Sequence, residues 1–109
     1  MTDLNFSIVY VVTSGETEAK TIGKTLVQDK LVACANILPT MFSYYFWQGN
    51  LEEDQEAILL LKTRKTLVSQ VISRVKELHS YDVPAILELP IVSGFLPYLE
   101  WVKENTRSL

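Results

Sequence analysis

One thiol and one imidazole, Cys34 and His79, are the strongest candidates for soft-metal coordination in this chain of 109 residues. Met1 and Met41 are the only other soft donors. Thiolate and imidazole ligands suit copper, which also binds most tightly among the first-row divalent ions. A tetrahedral Cys/His site needs four ligands, so one chain cannot close it, whereas a trimer supplies three copies of each residue. We therefore predict Cys34 and His79 as ligands for copper or another divalent cation.

Each of the two residues also has a structural interpretation. Cys34 lies between Ala33 and Ala35 in an apolar segment, where cysteine behaves as a small buried hydrophobe. His79 falls at the predicted C-terminus of a helix, where the helix dipole favours a cationic or capping side chain. A neighbouring loop should leave His79 the easier residue to reach, so we expect it to matter more than Cys34 for metal binding.

Two charged clusters could bind ions of other kinds. An acidic run could supply oxygen ligands for a hard cation, and it comprises Glu52, Glu53, Asp54 and Glu56. A basic cluster could bind an anion beside a helix N-terminus, and it comprises Lys62, Arg64 and Lys65. For both clusters the interpretation we favour is a solvated surface.

Composition and charge restrict the class of protein. With 10 Lys and Arg against 13 Asp and Glu, the net charge of -3 disfavours the phosphate-neutralising surface that nucleic-acid binding needs. The N-terminal residues lack the basic start and cleavage site of a secretory signal, and no segment approaches the roughly 20 apolar residues of a membrane span. A single cysteine suits a reducing compartment. We predict a cytoplasmic protein with no nucleic-acid or membrane partner.

Hydrophobic periodicity and turn residues predict seven elements in the order β-α-β-β-α-β-α. Pro39 should introduce a bulge or bend into an edge strand, and Gln48-Gly49-Asn50 has the chemistry of a tight hairpin. The predicted strands cover residues 6–13, 31–38 continued by 41–47, 51–63 and 85–91. The predicted helices cover residues 16–30, 65–79 and a short stretch around 95–102.

This order of elements predicts one α+β domain over residues 1–109, a ferredoxin-like βαββαβ sandwich with an extra C-terminal helix. Two helices should cover one face of an antiparallel sheet. In 41–47 both alternating sets of side chains are largely apolar, although a strand with one wet face should alternate with polar residues. We infer that other copies of the chain cover the open face, with Trp47 and Tyr81 near a cleft between subunits. The alternative is that the third helix alone covers it.

Enzyme motifs are missing from the sequence. It contains no Gly-x-Ser-x-Gly, no P-loop and no recognisable Cys-His nucleophile pattern. Acylphosphatase has a ferredoxin-like architecture and uses an Arg and an Asn, which Arg64 and Asn36 superficially match. Asn36 lies in an apolar strand, however, and no Gly-rich phosphate loop accompanies Arg64. We predict that the protein is not an enzyme.

Six segments, in order and spacing together, resemble the divalent-cation tolerance (CutA) family: VACANILP (32–39), YFWQGNLEE (45–53), LKTRK (61–65), ELHSYDVP (77–84), LPIVSG (89–94) and YLEW (98–101). The resemblance implies a compact trimer formed by edge-to-edge strand pairing, a cytosolic location, and an association with copper and other divalent metals. It also implies kinship with the PII signalling proteins, whose ligands bind between subunits. Some members carry a His pair where this chain has Leu78-His79.

The resulting functional prediction is a cytosolic homotrimer linked to copper tolerance, acting by metal-ion binding. The alternative is a PII-like signalling or scaffold trimer that binds a small ligand between its subunits.

Overall fold

A computed structural model describes residues 5–108. Four strands and three helices follow one another along the chain. They are β1 (Phe6–Thr13), α1 (Glu16–Gln28), β2 (Cys34–Trp47), β3 (Asn50–Arg64), α2 (Val68–Leu78), β4 (Ile86–Pro90) and α3 (Leu96–Glu104). A short 3₁₀ turn, Lys65–Leu67, leads into α2.

The four strands form one antiparallel sheet in the order β2-β3-β1-β4. This order places the first strand in the centre and the long second strand on an edge, as the sequence predicts. It is the arrangement of a ferredoxin-like βαββαβ domain with an added C-terminal helix, so the predicted fold is confirmed. None of the helices within residues 5–108 is long and apolar enough to cross a bilayer.

The core lies between the sheet and the first two helices. Val9 and Val11 of β1 and Leu59 and Leu61 of β3 point to this side and are fully buried. The facing stripes comprise Ala19, Ile22 and Leu26 of α1 with Val71 and Val75 of α2. Burying each Val or Leu side chain contributes about 1.5–3 kcal/mol, so this layer supplies most of the driving force for folding.

Several boundaries differ from those predicted. α1 ends at Gln28, because Lys30 adopts a left-handed conformation with φ of 58° that turns the chain out of the helix. Residues 31–33 then return as a buried connection rather than as strand, with the N–H of Leu31 donating to the Leu26 carbonyl. The second helix begins with the 3₁₀ turn, so its regular α-helical part starts at Val68.

A long hairpin made by β2 and β3 projects from the body of the domain. Gln48 and Gly49 both have positive φ, 51° and 84°, as a tight type I′ turn requires. The register shifts between Leu38 and Met41, which confirms the bulge predicted at Pro39. Because β1 ends opposite Ala57, residues 41–56 have no third strand beside them. This segment, called the hairpin arm below, accounts for a molecule 47 Å long but only 28 and 21 Å across.

The third helix covers only part of the open face of the sheet. Its Leu99 and Val102 are buried, and Lys62 of β3 lies 5.5 Å from the centre of the Tyr98 ring. Leu38 and Leu87 point to the same face, and each exposes more than half of its surface. The alternative that α3 alone covers this face is therefore wrong for the single chain.

Candidate functional site

Cys34 lies at the first position of β2, on the edge of the sheet. It pairs with Lys62 and is half-buried, rather than enclosed like a core residue. Its Sγ lies 3.5 Å from Oδ1 of Asn36, which is two residues away on the same face of the strand. The thiol is therefore a partly accessible group with one weak intramolecular partner.

His79 lies immediately after α2, and its side chain is completely buried. The Tyr81 N–H donates to Nδ1 over 3.0 Å, so Nδ1 is an acceptor. Nε2 then carries the proton and donates to the Val12 carbonyl over 2.7 Å. The expectation that His79 is the more accessible candidate is wrong, because both ring nitrogens are engaged and neither has a free lone pair for a metal.

Within one chain, Cys34 and His79 do not form a common site. Cys34 pairs with Lys62 of β3, and Lys62 pairs in turn with Ile8 of β1. The His79 ring instead contacts Val12, which lies four residues further along β1. At the rise of a β-strand this is about 13 Å along the sheet, with one strand between them. Elsewhere in residues 5–108, no three His, Cys, Asp or Glu side chains are grouped so that they could hold a metal. A single chain therefore does not fit a Cys/His copper site.

The three basic residues predicted as an anion site are already engaged. Lys62 lies over the Tyr98 ring, and Lys65 forms an ion pair of 2.8 Å with Glu88. Arg64 donates from Nε to the Thr106 hydroxyl over 2.9 Å and from Nη2 to the backbone carbonyls of Thr106 and Arg107. These contacts tie the C-terminal end of the chain to β3, so the cluster is structural.

The acidic run is divided between the two faces of β3. Glu53 is exposed on one face, and Asp54 and Glu56 point to the other. Glu56 is buried, with 5% of its surface exposed, and Asp54 is half-buried. The interpretation of the whole run as a solvated strand edge is therefore wrong for Glu56.

Asp54 and Glu56 line a groove of about 620 Å³ between the hairpin arm and the loop that follows α2. Asp82 is the third carboxylate in its wall, and none of the lining residues is Lys, Arg or His. The groove is also rich in aromatic rings, which belong to Tyr10, Tyr45, Trp47 and Tyr81. Trp47 and Tyr81, expected near a cleft between subunits, both line this groove of the single chain, and their place between subunits stays a prediction.

Two tyrosine hydroxyls hold the carboxylates of the groove. Tyr45 donates to Oδ2 of Asp54, and Tyr81 donates to Oε2 of Glu56 over 2.7 Å. The bond to Asp54 and the surrounding acidic charge raise the pKa of Tyr45 to about 12. Burial, the bond to Glu56 and the same charges raise the pKa of Tyr81. Both hydroxyls therefore remain protonated donors at neutral pH, and the groove has a negative potential.

Part of this site could have been found in the sequence. The hairpin turn at Gln48-Gly49 fixes a register that sets Ser43 opposite Asp54 and Tyr45 opposite Glu52, so aromatic and acidic side chains must share one face. The bond from Tyr81 to Glu56 joins residues 25 positions apart, and no local pattern indicates it.

Comparison with known proteins identifies the family. A family model described as "CutA1 divalent ion tolerance protein" matches residues 7–105. The "Divalent-cation tolerance protein CutA" of Thermus thermophilus is 46% identical over 99 residues, which cover 91% of this chain and 96% of that protein. The solved structure of the T. thermophilus divalent cation tolerance protein superimposes with a TM-score of 0.90 at 45% identity, covering 94% of this chain and 99% of that one.

Relatives differ in length and in the compartment that their names give. "Protein CutA 1, chloroplastic" of Oryza sativa is 41% identical over 92% of this chain, which spans 56% of that longer protein. A solved structure from Archaeoglobus fulgidus, titled a periplasmic divalent cation tolerance protein CutA, has a TM-score of 0.89 at 34% identity and covers 92% of this chain and 97% of that one. The family model and the relatives agree over most of the sequence, and this chain belongs to the CutA1 divalent ion tolerance family.

Proposed function

We propose that this protein acts in tolerance to divalent cations as a cytosolic homotrimer without enzymatic activity, and that copper or another divalent cation is the ion it binds. The observation that carries the proposal is the match to the divalent ion tolerance family over residues 7–105. The half-buried thiol of Cys34 supports it, because thiolates are preferred ligands of copper.

Exposed apolar surface on the single chain supports the homotrimer. Four large side chains on the hairpin arm point away from the groove and expose 63–73% of their surface: Phe42, Tyr44, Phe46 and Leu51. The open face of the sheet adds Leu38, Leu87 and Leu89. A monomer rarely exposes so many neighbouring apolar residues, whereas an obligate assembly buries them.

Within this proposal, Cys34 is the main copper ligand and His79 the secondary one. Three chains supply three Cys34 thiols, each half-buried in its own chain. His79 can coordinate a metal only after it releases the Tyr81 N–H or loses the proton that it donates to Val12. The order of importance is thus the reverse of the one predicted from sequence.

Anaerobic copper titration against a competing chelator tests the metal site. Wild type, Cys34→Ser and His79→Ala are compared, and sedimentation equilibrium checks that each has the mass of three chains. We expect Cys34→Ser to weaken copper binding at least tenfold. His79→Ala should act mainly on folding, since its ring fills a closed space, and circular dichroism checks this. Unchanged copper affinity in Cys34→Ser refutes the assignment, and a folded monomer of 12.4 kDa refutes the trimer.

A small-ligand trimer related to the PII proteins is the second candidate function. The groove of about 620 Å³ favours it, because its size lies within the range of small-molecule sites. Melting temperatures measured with copper and with nucleotides separate the two functions, since only a ligand that prefers the folded state raises the melting temperature.

A further inference from the structure

The groove beside the hairpin arm combines acidic charge with aromatic walls. Asp54, Glu56 and Asp82 contribute carboxylates, and none of the basic residues described in the structure lines it. The two tyrosines that bind Asp54 and Glu56 are neutral donors, so they orient the carboxylates without cancelling their charge. A ligand that enters this groove therefore meets uncompensated negative charge.

Glu56 is the most informative residue in this groove. Only 5% of its surface is exposed, and burying a carboxylate is costly unless a charge or several hydrogen bonds compensate it. Tyr81 satisfies Oε2, and no other side-chain hydrogen bond to Glu56 is formed within residues 5–108. Among residues 5–108, no fully buried side-chain oxygen or nitrogen lacks a hydrogen-bond partner, so Oε1, which has no such partner, must be accessible. It is therefore open to the groove.

Asp54 repeats this arrangement two residues earlier on the same face of β3. Tyr45 donates to its Oδ2, which leaves Oδ1 for another donor. Two residues of a strand span about 7 Å, so the two carboxylates lie within reach of one small molecule. A ligand with two donor ends, or one donor end and an apolar body, matches this spacing.

The remaining walls favour an organic ligand. Trp47 and Tyr10 present aromatic rings, which attract cations through their π-faces, and Val12, Met41 and Ala85 add apolar surface. We propose that this groove binds a small organic cation, an alkyldiammonium compound whose two charged nitrogens are held by Glu56 and Asp54 and whose hydrocarbon part packs on Trp47. The proposal is independent of copper binding at Cys34, which lies at the other end of the sheet.

A hard divalent ion fits the groove less well. Calcium and magnesium take six or more oxygen ligands at close range. The two carboxylates here are separated along the strand and each is bound to a tyrosine, and no cluster of three metal-binding side chains occurs among the described residues. Apolar and aromatic walls add nothing to a hydrated metal ion, whereas they desolvate the body of an amine.

Binding of 1,4-diaminobutane to the full-length protein tests the proposal. Isothermal calorimetry measures the affinity, with 1-butylamine and butane-1,4-diol as matched compounds that carry one charge and none. Fluorescence of Trp47 reports occupancy of the groove in a Trp101→Phe background, which leaves one tryptophan in the chain. We expect the diamine to bind more tightly than the monoamine, the diol not to bind, and the Trp47 emission to change on binding.

Charge-removing variants locate the site. Glu56→Gln and Asp54→Asn should each weaken diamine binding roughly tenfold, because each removes a charge-assisted hydrogen bond. Glu53→Gln is the matched control, since it removes the same charge from the opposite face of the same strand. Asp54 is only half-buried, so Asp54→Asn should fold even if Glu56→Gln is destabilised.

Three results would overturn the proposal. One is equal binding of the diol and the diamine, and another is loss of affinity in Glu53→Gln as large as in Asp54→Asn, which would indicate unspecific attraction to an acidic surface. The third is binding of Mg²⁺ or Mn²⁺ through Asp54 without binding of any amine, which would make the groove an inorganic cation site. In each case the effect of Cys34→Ser on copper remains a separate measurement.

Discussion

Glu18 should contribute more to folding stability than any other acidic residue near the surface, because it joins three segments of the chain. Its Oε1 accepts the N–H of Ser14 over 2.9 Å, just before α1. Its Oε2 accepts the N–H of Ser80 over 2.8 Å, in the loop after α2. The His79 ring lies 3.9 Å from the same carboxylate. Replacing Glu18 by Ala leaves two backbone donors without partners.

The magnitude follows from these contacts. A hydrogen bond to a charged group contributes roughly 1.5–3 kcal/mol, and Glu18 is 14% exposed, so we take the lower value for each of its two bonds. Glu18→Ala should therefore cost about 3 kcal/mol, which lowers the melting temperature of a domain of this size by at least about 10 °C. Glu18→Gln keeps one acceptor oxygen and should lose about half as much.

The pH dependence has a defined sign. Burial alone would raise the pKa of Glu18, but the bonds from Ser14 and Ser80 outweigh it, and the pKa lies below its ordinary value of 4.5. A carboxyl with a lowered folded-state pKa stabilises the protein at pH above 4.5, and this stabilisation is lost as the pH falls through the folded-state value. The difference in unfolding free energy between wild type and Glu18→Gln should therefore be greatest at neutral pH and disappear in acid.

Urea unfolding at one protein concentration, followed by circular dichroism from neutral to acidic pH, measures these differences. Glu16→Ala is the control, because Glu16 lies in the same helical turn but makes only an exposed pair of 3.8 Å with Lys20. Such pairs contribute about 0.5 kcal/mol or less. If Glu18→Ala costs no more than Glu16→Ala, the three-segment role is refuted.

Two further predictions concern packing and the C-terminal end. Arg64→Ala should lower the free energy of unfolding by about 1–3 kcal/mol and speed amide exchange in residues 103–108, because the guanidinium bonds to Thr106 and Arg107 are lost. Arg64→Lys should not restore these bonds, since an ammonium group lacks the planar fork of the guanidinium. Unchanged amide exchange would count against this role. Gly23→Ala should destabilise the protein although alanine favours helix, because its Cβ would lie 3.0 Å from Cβ of Ala35 and 3.1 Å from Cδ1 of Leu59. Adding Ala35→Gly should recover stability in thermal melts, and a stabilised single variant would contradict the close contact.

Local patterns in the sequence were sufficient for most of the fold. The β-branched run of β1 predicts a strand with the same bounds as the observed Phe6–Thr13, and Pro39 predicts the bulge in β2. The apolar side chains of residues 31–33 predict a strand, but their burial comes from packing beside the left-handed turn at Lys30. Residue propensity does not distinguish burial within a strand from burial within a connecting segment.

The candidate site was less predictable because long-range contacts decide it. The position of His79 after a helix suggested exposure, yet Val12 and Tyr81 enclose its ring from segments that only the folded sheet brings together. In the sequence Glu56 belongs to one acidic run, although strand alternation separates it from Glu53. Its burial depends on Tyr81, which no spacing rule connects to it.

Prolines on both edges of the sheet bear on aggregation. β2 and β4 are the outer strands, and they carry Pro39 and Pro90. A proline offers no N–H to an incoming strand, and the bulge beside Pro39 breaks the long edge into two shorter pairing segments. Uncontrolled fibril growth needs a long, flat and continuous edge, which neither strand provides. The same edges can still accept a partner of matching register, so the chain is protected against indiscriminate stacking while keeping short segments on which a defined neighbour can pair.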